Sequence, residues 1–187
     1  QAGQGRVWSS PGADHEARLE LSLEEAARGG EREVRLADAT HGQSRAYRVK
    51  IPAGVRSGQR IRLSGRGGEG SGGGKTGDLY LNVDIAPHPR FRMDDGNLTV
   101  RVPVTPWEAA LGSEIDVPTL DGPVRVRVPA GSSSGRKIRL KGKGFPGKDG
   151  PGDLFAELQV AVPHPLSDQE RELFEKLKEA SAFRPRD

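Results

Sequence analysis

Ile51-Pro52-Ala53-Gly54, followed by Ile61-Arg62-Leu63, Gly65, Gly67, Gly77-Asp78-Leu79 and Pro87-His88-Pro89, returns further along the chain. The second copy reads Val128-Pro129-Ala130-Gly131, then Ile138-Arg139-Leu140, Gly142, Gly144, Gly152-Asp153-Leu154 and Pro163-His164-Pro165. The upstream edge repeats too: Glu25-Ala26-Ala27-Arg28-Gly29 matches Glu108-Ala109-Ala110-Leu111-Gly112. Each is followed by a glutamate, Glu31 or Glu114, and then by a valine, Val34 or Val117. Two copies make a tandem pair of similar domains, whereas a solenoid needs three or more.

Within each copy the hydrophobic period is 2, the signature of half-buried strands. Ala17, Leu19, Leu21 and Leu23 alternate with polar residues. So do the stretches Arg32 to Leu36, Tyr47 to Ile51, Arg60 to Leu63 and Leu79 to Ile85. In the second copy the matching stretches are Leu98 to Val104, Val124 to Val128, Lys137 to Leu140 and Leu154 to Val162. Glu24 to Arg28 and Trp107 to Leu111 each fit a short helical turn, the first closed by Gly29-Gly30. The predicted fold is mainly all-β: two tandem, similar sandwich or open-barrel domains with short helical turns. Turn residues at Asp94-Asp95-Gly96-Asn97 place the boundary, giving units 15–95 and 96–165 after a linker at 1–14. Past Pro165 the period becomes 3.6. Ser167-x-x-Glu170 is a capping box, and Leu173, Phe174, Leu177 and Ala180 share one face, so 166–187 is a helix and tail.

Bulk properties narrow the function. With 187 residues, 33% hydrophobic and 29% charged, each domain has a thin core. There is no cysteine, which excludes a disulfide framework and a thiolate zinc site and fits a reducing cytosol, so a cytoplasmic location is expected. No apolar run is long enough to span a membrane. The opening Gln1-Ala2-Gly3-Gln4-Gly5 is not a signal peptide and reads as the continuation of something longer. The net charge is +3, with Lys and Arg dispersed among acids and aromatics at 5%, which argues against a basic stripe interleaved with stacking rings.

Several motifs invite a catalytic reading and fail it. Gly65-Arg66-Gly67-Gly68-Glu69-Gly70 and Gly142-Lys143-Gly144-Phe145-Pro146-Gly147 both fit G-x-G-x-x-G, yet each leads into turn residues and a strand instead of the helix a dinucleotide needs. Gly74-Lys75-Thr76 ends like a phosphate loop, but its first glycine would fall at Glu69. His15, His41, His88 and His164 lack metal-ligand spacing. His88 and His164 sit in equivalent places between prolines, which indicates a shared strand-exit turn. Asp78 and Asp153, also equivalent, read as structural aspartates bonding turn amides. No metal, cofactor or enzymatic site is predicted.

Taken together, these segments resemble the C-terminal substrate-binding region of a J-domain co-chaperone of the DnaJ/CbpA type. The residues that carry the likeness are Leu21 to Gly29, Ile51 to Gly58, Gly77-Asp78-Leu79, Pro87-His88-Pro89-x-Phe91-x-x-Asp94 and Gly142-x-Gly144-Phe145-Pro146. They span about residues 17 to 180. The absence of cysteine, with the short segment Ala37 to Ala46 where a zinc region would be inserted, resembles the zinc-free class. No His-Pro-Asp motif is present, since His88-Pro89 precedes Arg90 and His164-Pro165 precedes Leu166. The resemblance implies a client groove between the first two strands: Ala17 and Leu19 on one, Val34 and Leu36 on the next, and Phe91 closing one end. It implies that Arg32 and Arg35 attract the acidic tail of a DnaK-type seventy-kilodalton heat-shock chaperone. It further implies that Leu173, Phe174 and Leu177 dimerise the chain. The expected function is to hold unfolded clients and deliver them to that chaperone. The alternative is a DNA-binding pair of β-domains, and a third reading, a carbohydrate-binding sandwich, lacks exposed rings beyond Trp8, Trp107, Tyr47 and Tyr80.

Overall fold

The computed structural model describes residues 9–37 and 44–186. Residues 1–8 of the expected linker, Trp8 among them, and most of the Ala37 to Ala46 segment, His41 included, lie outside the described residues. The elements run β1 (His15–Leu21), α1 (Leu23–Arg28), β2 (Gly30–Ala37), β3 (Ser44–Ile51), β4 (Arg60–Leu63) and β5 (Leu79–Ile85). They continue as β6 (Phe91–Asp94), β7 (Asn97–Val104), α2 (Pro106–Leu111), β8 (Ser113–Val117), β9 (Val124–Val128), β10 (Lys137–Leu140), β11 (Leu154–Val160) and α3 (Asp168–Ala180).

The strands form small sheets, and among the described residues none closes into a barrel. In the first half, the sheet order is β1-β5-β4, with β1 parallel and β4 antiparallel to β5, while β2 and β3 form a separate antiparallel pair. In the second half, β7-β11-β10 reproduces the first sheet and β8-β9 reproduces the pair. One strand breaks the symmetry. β6 adds antiparallel to the outer edge of β7, with Phe91 opposite Val100 and Arg92 opposite Thr99. Asp95 and Gly96 form its two-residue turn, with φ of 43° and 86°. Positive φ at both centres is what a tight hairpin with right-handed twist requires. The turn cluster at Asp94 to Asn97 is thus a hairpin inside the second sheet, which the chain joins at Phe91.

The duplication is maintained down to single hydrogen bonds. Asp78 accepts from the Gly65 amide at 2.8 Å and Arg62 Nε at 2.6 Å; Asp153 accepts from the Gly142 amide at 2.8 Å and Arg139 Nε at 2.7 Å. These two aspartates therefore pin the turn after β4 and β10 onto the start of β5 and β11. The Gly65 amide and then the Arg62 guanidinium hold the Asp78 carboxyl below the ordinary carboxylate range, and Gly142 and Arg139 do the same for Asp153. The glycine-rich runs are turns. A Cβ on Gly67 would lie 2.6 Å from the Asp78 carbonyl oxygen, and one on Gly144 would lie 2.5 Å from the Gly152 carbonyl carbon. Close backbone approach, not phosphate binding, is their use here.

Capping boxes set all three helix starts: Ser22 with Glu25, Thr105 with Glu108, and Ser167 with Glu170. The histidines diverge. His88 Nδ1 accepts from the Phe91 amide at 3.0 Å and its Nε2 lies 2.9 Å from Glu24, fixing the turn into β6. His164 also follows a strand into a bend, but its side chain is exposed, so the equivalence covers the strand exit and not the bonding of the imidazole. One continuous buried cluster runs through both halves, from Leu19, Leu21 and Leu81 to Leu98, Phe145 and Ala156.

Candidate peptide-binding groove

Hydrogen-bond direction along β1 decides what it offers. In a parallel ladder, alternate residues turn their N–H and C=O to the neighbouring strand. His15 N donates to Asp78 O at 2.8 Å and Leu21 O accepts from Ala86 N at 2.9 Å, so the odd residues face β5. Glu16, Arg18 and Glu20 turn their backbone groups to the opposite edge. Among the described residues no strand pairs there. Among the described residues only the Glu20 carbonyl is engaged at that edge, by Arg32 Nη1 at 3.4 Å. The same edge of β7 is occupied by β6.

Side chains repeat the contrast. Ala17 and Val34 are half-buried and pack with Tyr47, Ile61 and Leu63 against the edge of the core. Their counterparts in the second half, Val100 and Val117, are 1% and 0% exposed. Two phenylalanines close that second site. Phe91 lies opposite Val100 and is 5% exposed. Phe145 is fully buried, and its amide donates to Gly96 O at 2.9 Å. The residue in the Phe145 position of the first half is Gly68, whose amide makes the equivalent bond to Ala13 O at 2.8 Å. The first half therefore has the same socket without its two rings. Beside it lies a depression of about 390 Å³, lined in part by Tyr47, Arg66, Gly67 and Thr76.

The residues predicted from the sequence are distributed as follows. Ala17 and Val34 are half-buried at the edge of the core. Leu19, 3% exposed, is one step deeper, in the core. Leu36 is in β2 opposite Arg45, and its side chain lies outside the described residues. Phe91 belongs to the second sheet, opposite Val100, with its ring centroid 5.0 Å from that of His88 and tilted by 40°. β1 and β2 face each other from different sheets, linked through α1 and not by a ladder. Arg32 bridges them: besides Glu20 O it pairs with Glu25 at 2.8 Å, the same carboxylate that caps α1. Arg35 is exposed, with Glu33 4.0 Å away. On α3 no residue is buried: Leu173 and Leu177 are 58% and 61% exposed and Phe174 is half-buried, so the apolar face is not packed into its own domain. The Gly68/Phe145 difference was visible in the aligned glycine runs, but its meaning depends on knowing that the position points into the core.

The DnaJ C terminal domain family matches residues 15–163, and the chain belongs to that family, the substrate-binding domains of J-domain co-chaperones. It is 44% identical over 183 residues to the curved DNA-binding protein of Coxiella burnetii, covering 94% of this chain and 58% of that protein. It is 41% identical over 192 residues to that of Pseudomonas putida, covering 98% of this chain and 60% of the relative. For Serratia proteamaculans the figures are 50% over 139 residues, 74% and 45%. The chain thus spans 58% to 60% of the length of the first two relatives. Among the described residues no group of three or more His, Asp or Glu is placed to hold a metal, and no helix is long and apolar enough to cross a membrane.

Proposed function

We propose that this chain is a client-holding module. An extended, unfolded polypeptide adds to the free edge of β1, and its apolar side chains enter the opening between Ala17 and Val34. The observation that carries the reading is the internal comparison: β6, Phe91 and Phe145 fill on the second half what is left open on the first. Main-chain bonds to Glu16 and Arg18 supply sequence-independent affinity, and the socket selects large apolar residues. Burying one leucine-sized group contributes roughly 1.5–3 kcal/mol, and ordering costs on association reduce this. Micromolar binding or weaker follows, which lets a client leave for an ATP-driven chaperone of the DnaK type. Arg35, and Arg32 in exchange for its bond to Glu25, are the groups to meet that partner's acidic tail. Pairing of two chains through Leu173, Phe174 and Leu177 joins two grooves, which raises apparent affinity by roughly 10² when one client spans both.

The test is fluorescence anisotropy of a labelled, extended, leucine-rich peptide against the wild type and Ala17→Asp. Salt-insensitive binding that is lost in a folded Ala17→Asp variant supports the groove. Unchanged binding moves the client site elsewhere.

A second reading, duplex nucleic-acid binding, is favoured by two observations. The relatives carry the name curved DNA-binding protein, and among the described residues Arg90, Arg92, Arg101 and Lys137 of the second sheet and its approach form no ion pair.

A further inference from the structure

We infer that the outward face of the second sheet is a binding surface for the phosphodiester backbone of duplex nucleic acid. The assignment gives the second reading above its site, and it rests on that reading. The argument begins with the side chains that β10, β11, β7 and β6 turn away from the core. Strand register places Lys137 beside Glu157, Glu157 beside Arg101, and Arg90 beyond Arg101 just ahead of β6. The adjacent row holds Arg139, Phe155, Thr99 and Arg92. A depression of about 640 Å³ lies over this face, lined by Arg90, Arg92, Arg101 and Lys137 together with Asp94 and Glu157.

The first sheet is the internal control. Its equivalent face also carries three arginines, and each is neutralised: Arg18 by Asp84, Arg60 by Glu16 at 2.5 Å, and Arg62 by Asp78 at 2.5 Å. On the second sheet only Arg139 keeps such a partner, Asp153 at 2.6 Å. Among the described residues, Arg90, Arg92, Arg101 and Lys137 form no ion pair. The acids that silence the first face have been replaced: Glu16 by Thr99, Glu20 by Pro103 and Asp84 by Gln159. Two copies of one scaffold therefore differ by the loss of three acids from one outer face against the gain of one, Glu157 where the first sheet has Asn82. That pattern is not needed for packing, since these side chains point to solvent, and unpaired cations are what a polyanion exchanges for its counterions.

Geometry favours a duplex over an acidic peptide. Adjacent strands are about 4.8 Å apart, so the cations on β10 and β6 stand about 14 Å apart across three strand intervals. A major groove is about 12 Å wide between its phosphate ribbons. Cations at both sheet edges can reach the two ribbons, while Phe155 and Thr99 between them face the groove. Four phosphate contacts give a slope of log K against log salt of about −3.6. Recognition is of phosphate and width, not of base edges.

The experiment is anisotropy of a labelled 20-base-pair duplex at several salt concentrations, with the intact chain. The wild type is expected to bind at low salt with a slope near −3.6, at the order-of-magnitude rule of about −0.9 per phosphate. The Arg92→Gln/Arg101→Gln variant should lose two of the four contacts and so about half of that slope, leaving about −1.8. Glu157→Gln should bind more tightly than the wild type, and Arg60→Gln/Arg62→Gln should bind as the wild type does. Peptide binding in the groove, measured on the same samples, reports that each variant is folded. If the wild type binds no duplex, the nucleic-acid reading falls and the site with it. If the wild type binds and the Arg92/Arg101 variant matches it, the reading stands and the site is overturned. If a poly-glutamate peptide binds this face and displaces the duplex completely at equal charge, a protein partner replaces nucleic acid as the occupant.

Discussion

Replacing Gly68 with phenylalanine should close the groove with the protein's own plug. Gly68 occupies the place of Phe145, with an equivalent backbone bond, 2.8 Å to Ala13 O against 2.9 Å to Gly96 O. A Cβ there would meet Ala13 N and O at 3.2 Å, so a few tenths of an ångström of movement accommodates it. The introduced ring would fill the space we propose for one client side chain. Losing that anchor removes roughly 1.5–3 kcal/mol of burial, which is about 10- to 150-fold in Kd at 1.4 kcal/mol per tenfold. Stability should stay level or rise, because the ring buries apolar area in the folded state. The assay is peptide anisotropy alongside thermal unfolding monitored by circular dichroism. A Gly68→Phe chain that melts with the wild type and binds peptide as tightly would refute the equivalence of the two sockets.

Three further outcomes follow from the same structure. Phe145→Ala empties a fully buried site, so it should lower the free energy of unfolding by about 3–5 kcal/mol in urea titrations; a loss below 1 kcal/mol would show that Phe145 is not a plug. The depressed carboxyls of Asp78 and Asp153 contribute stability that is present above their unfolded pKa, about 3.9. It is lost as pH falls through the still lower folded values. The melting temperature should therefore hold from pH 7 to 5 and decline below about pH 4, and Asp78→Asn/Asp153→Asn should flatten that acid limb. Light scattering should find the wild type as the proposed dimer and Leu173→Asp/Leu177→Asp as a monomer, with the melting temperature of the β core unmoved, since neither side chain is buried in the chain itself.

Strand positions were legible because strict alternation locates a half-buried strand almost to the residue: Arg60 to Leu63, Leu79 to Ile85 and Val124 to Val128 coincide with β4, β5 and β9. Partnership was not. Periodicity says which face of β1 is apolar but not that β1 pairs in parallel with β5, a long-range contact set by the chain's path. The pattern therefore gave no hint that β1 and β2 lie in different sheets. The residues Asp94 to Asn97 signal a turn, and a turn stands there, but Asp-Gly turns serve hairpins as well as boundaries, and this one ties β6 to β7. Ser22-x-x-Glu25 and Thr105-x-x-Glu108 carry the same signature that located α3, and both cap a helix. Of the proposed groove, alternation and resemblance name Ala17 and Val34, and the structure has both half-buried at the edge of the core. The open edge beside them could not be named, because an unpaired strand looks like a paired one until its neighbour is found to be missing.

The most direct measurement is amide hydrogen exchange along β1 and β7, with and without saturating peptide. The outward amides of Glu16 and Arg18 should exchange freely in the isolated chain and slow at least tenfold with peptide, as expected for newly formed ladder bonds. Those of Thr99 and Arg101, beside β6, should be slow already and unchanged. Protection at Thr99 and Arg101 on peptide addition, with none at Glu16 and Arg18, would contradict the account and place the client on the second half.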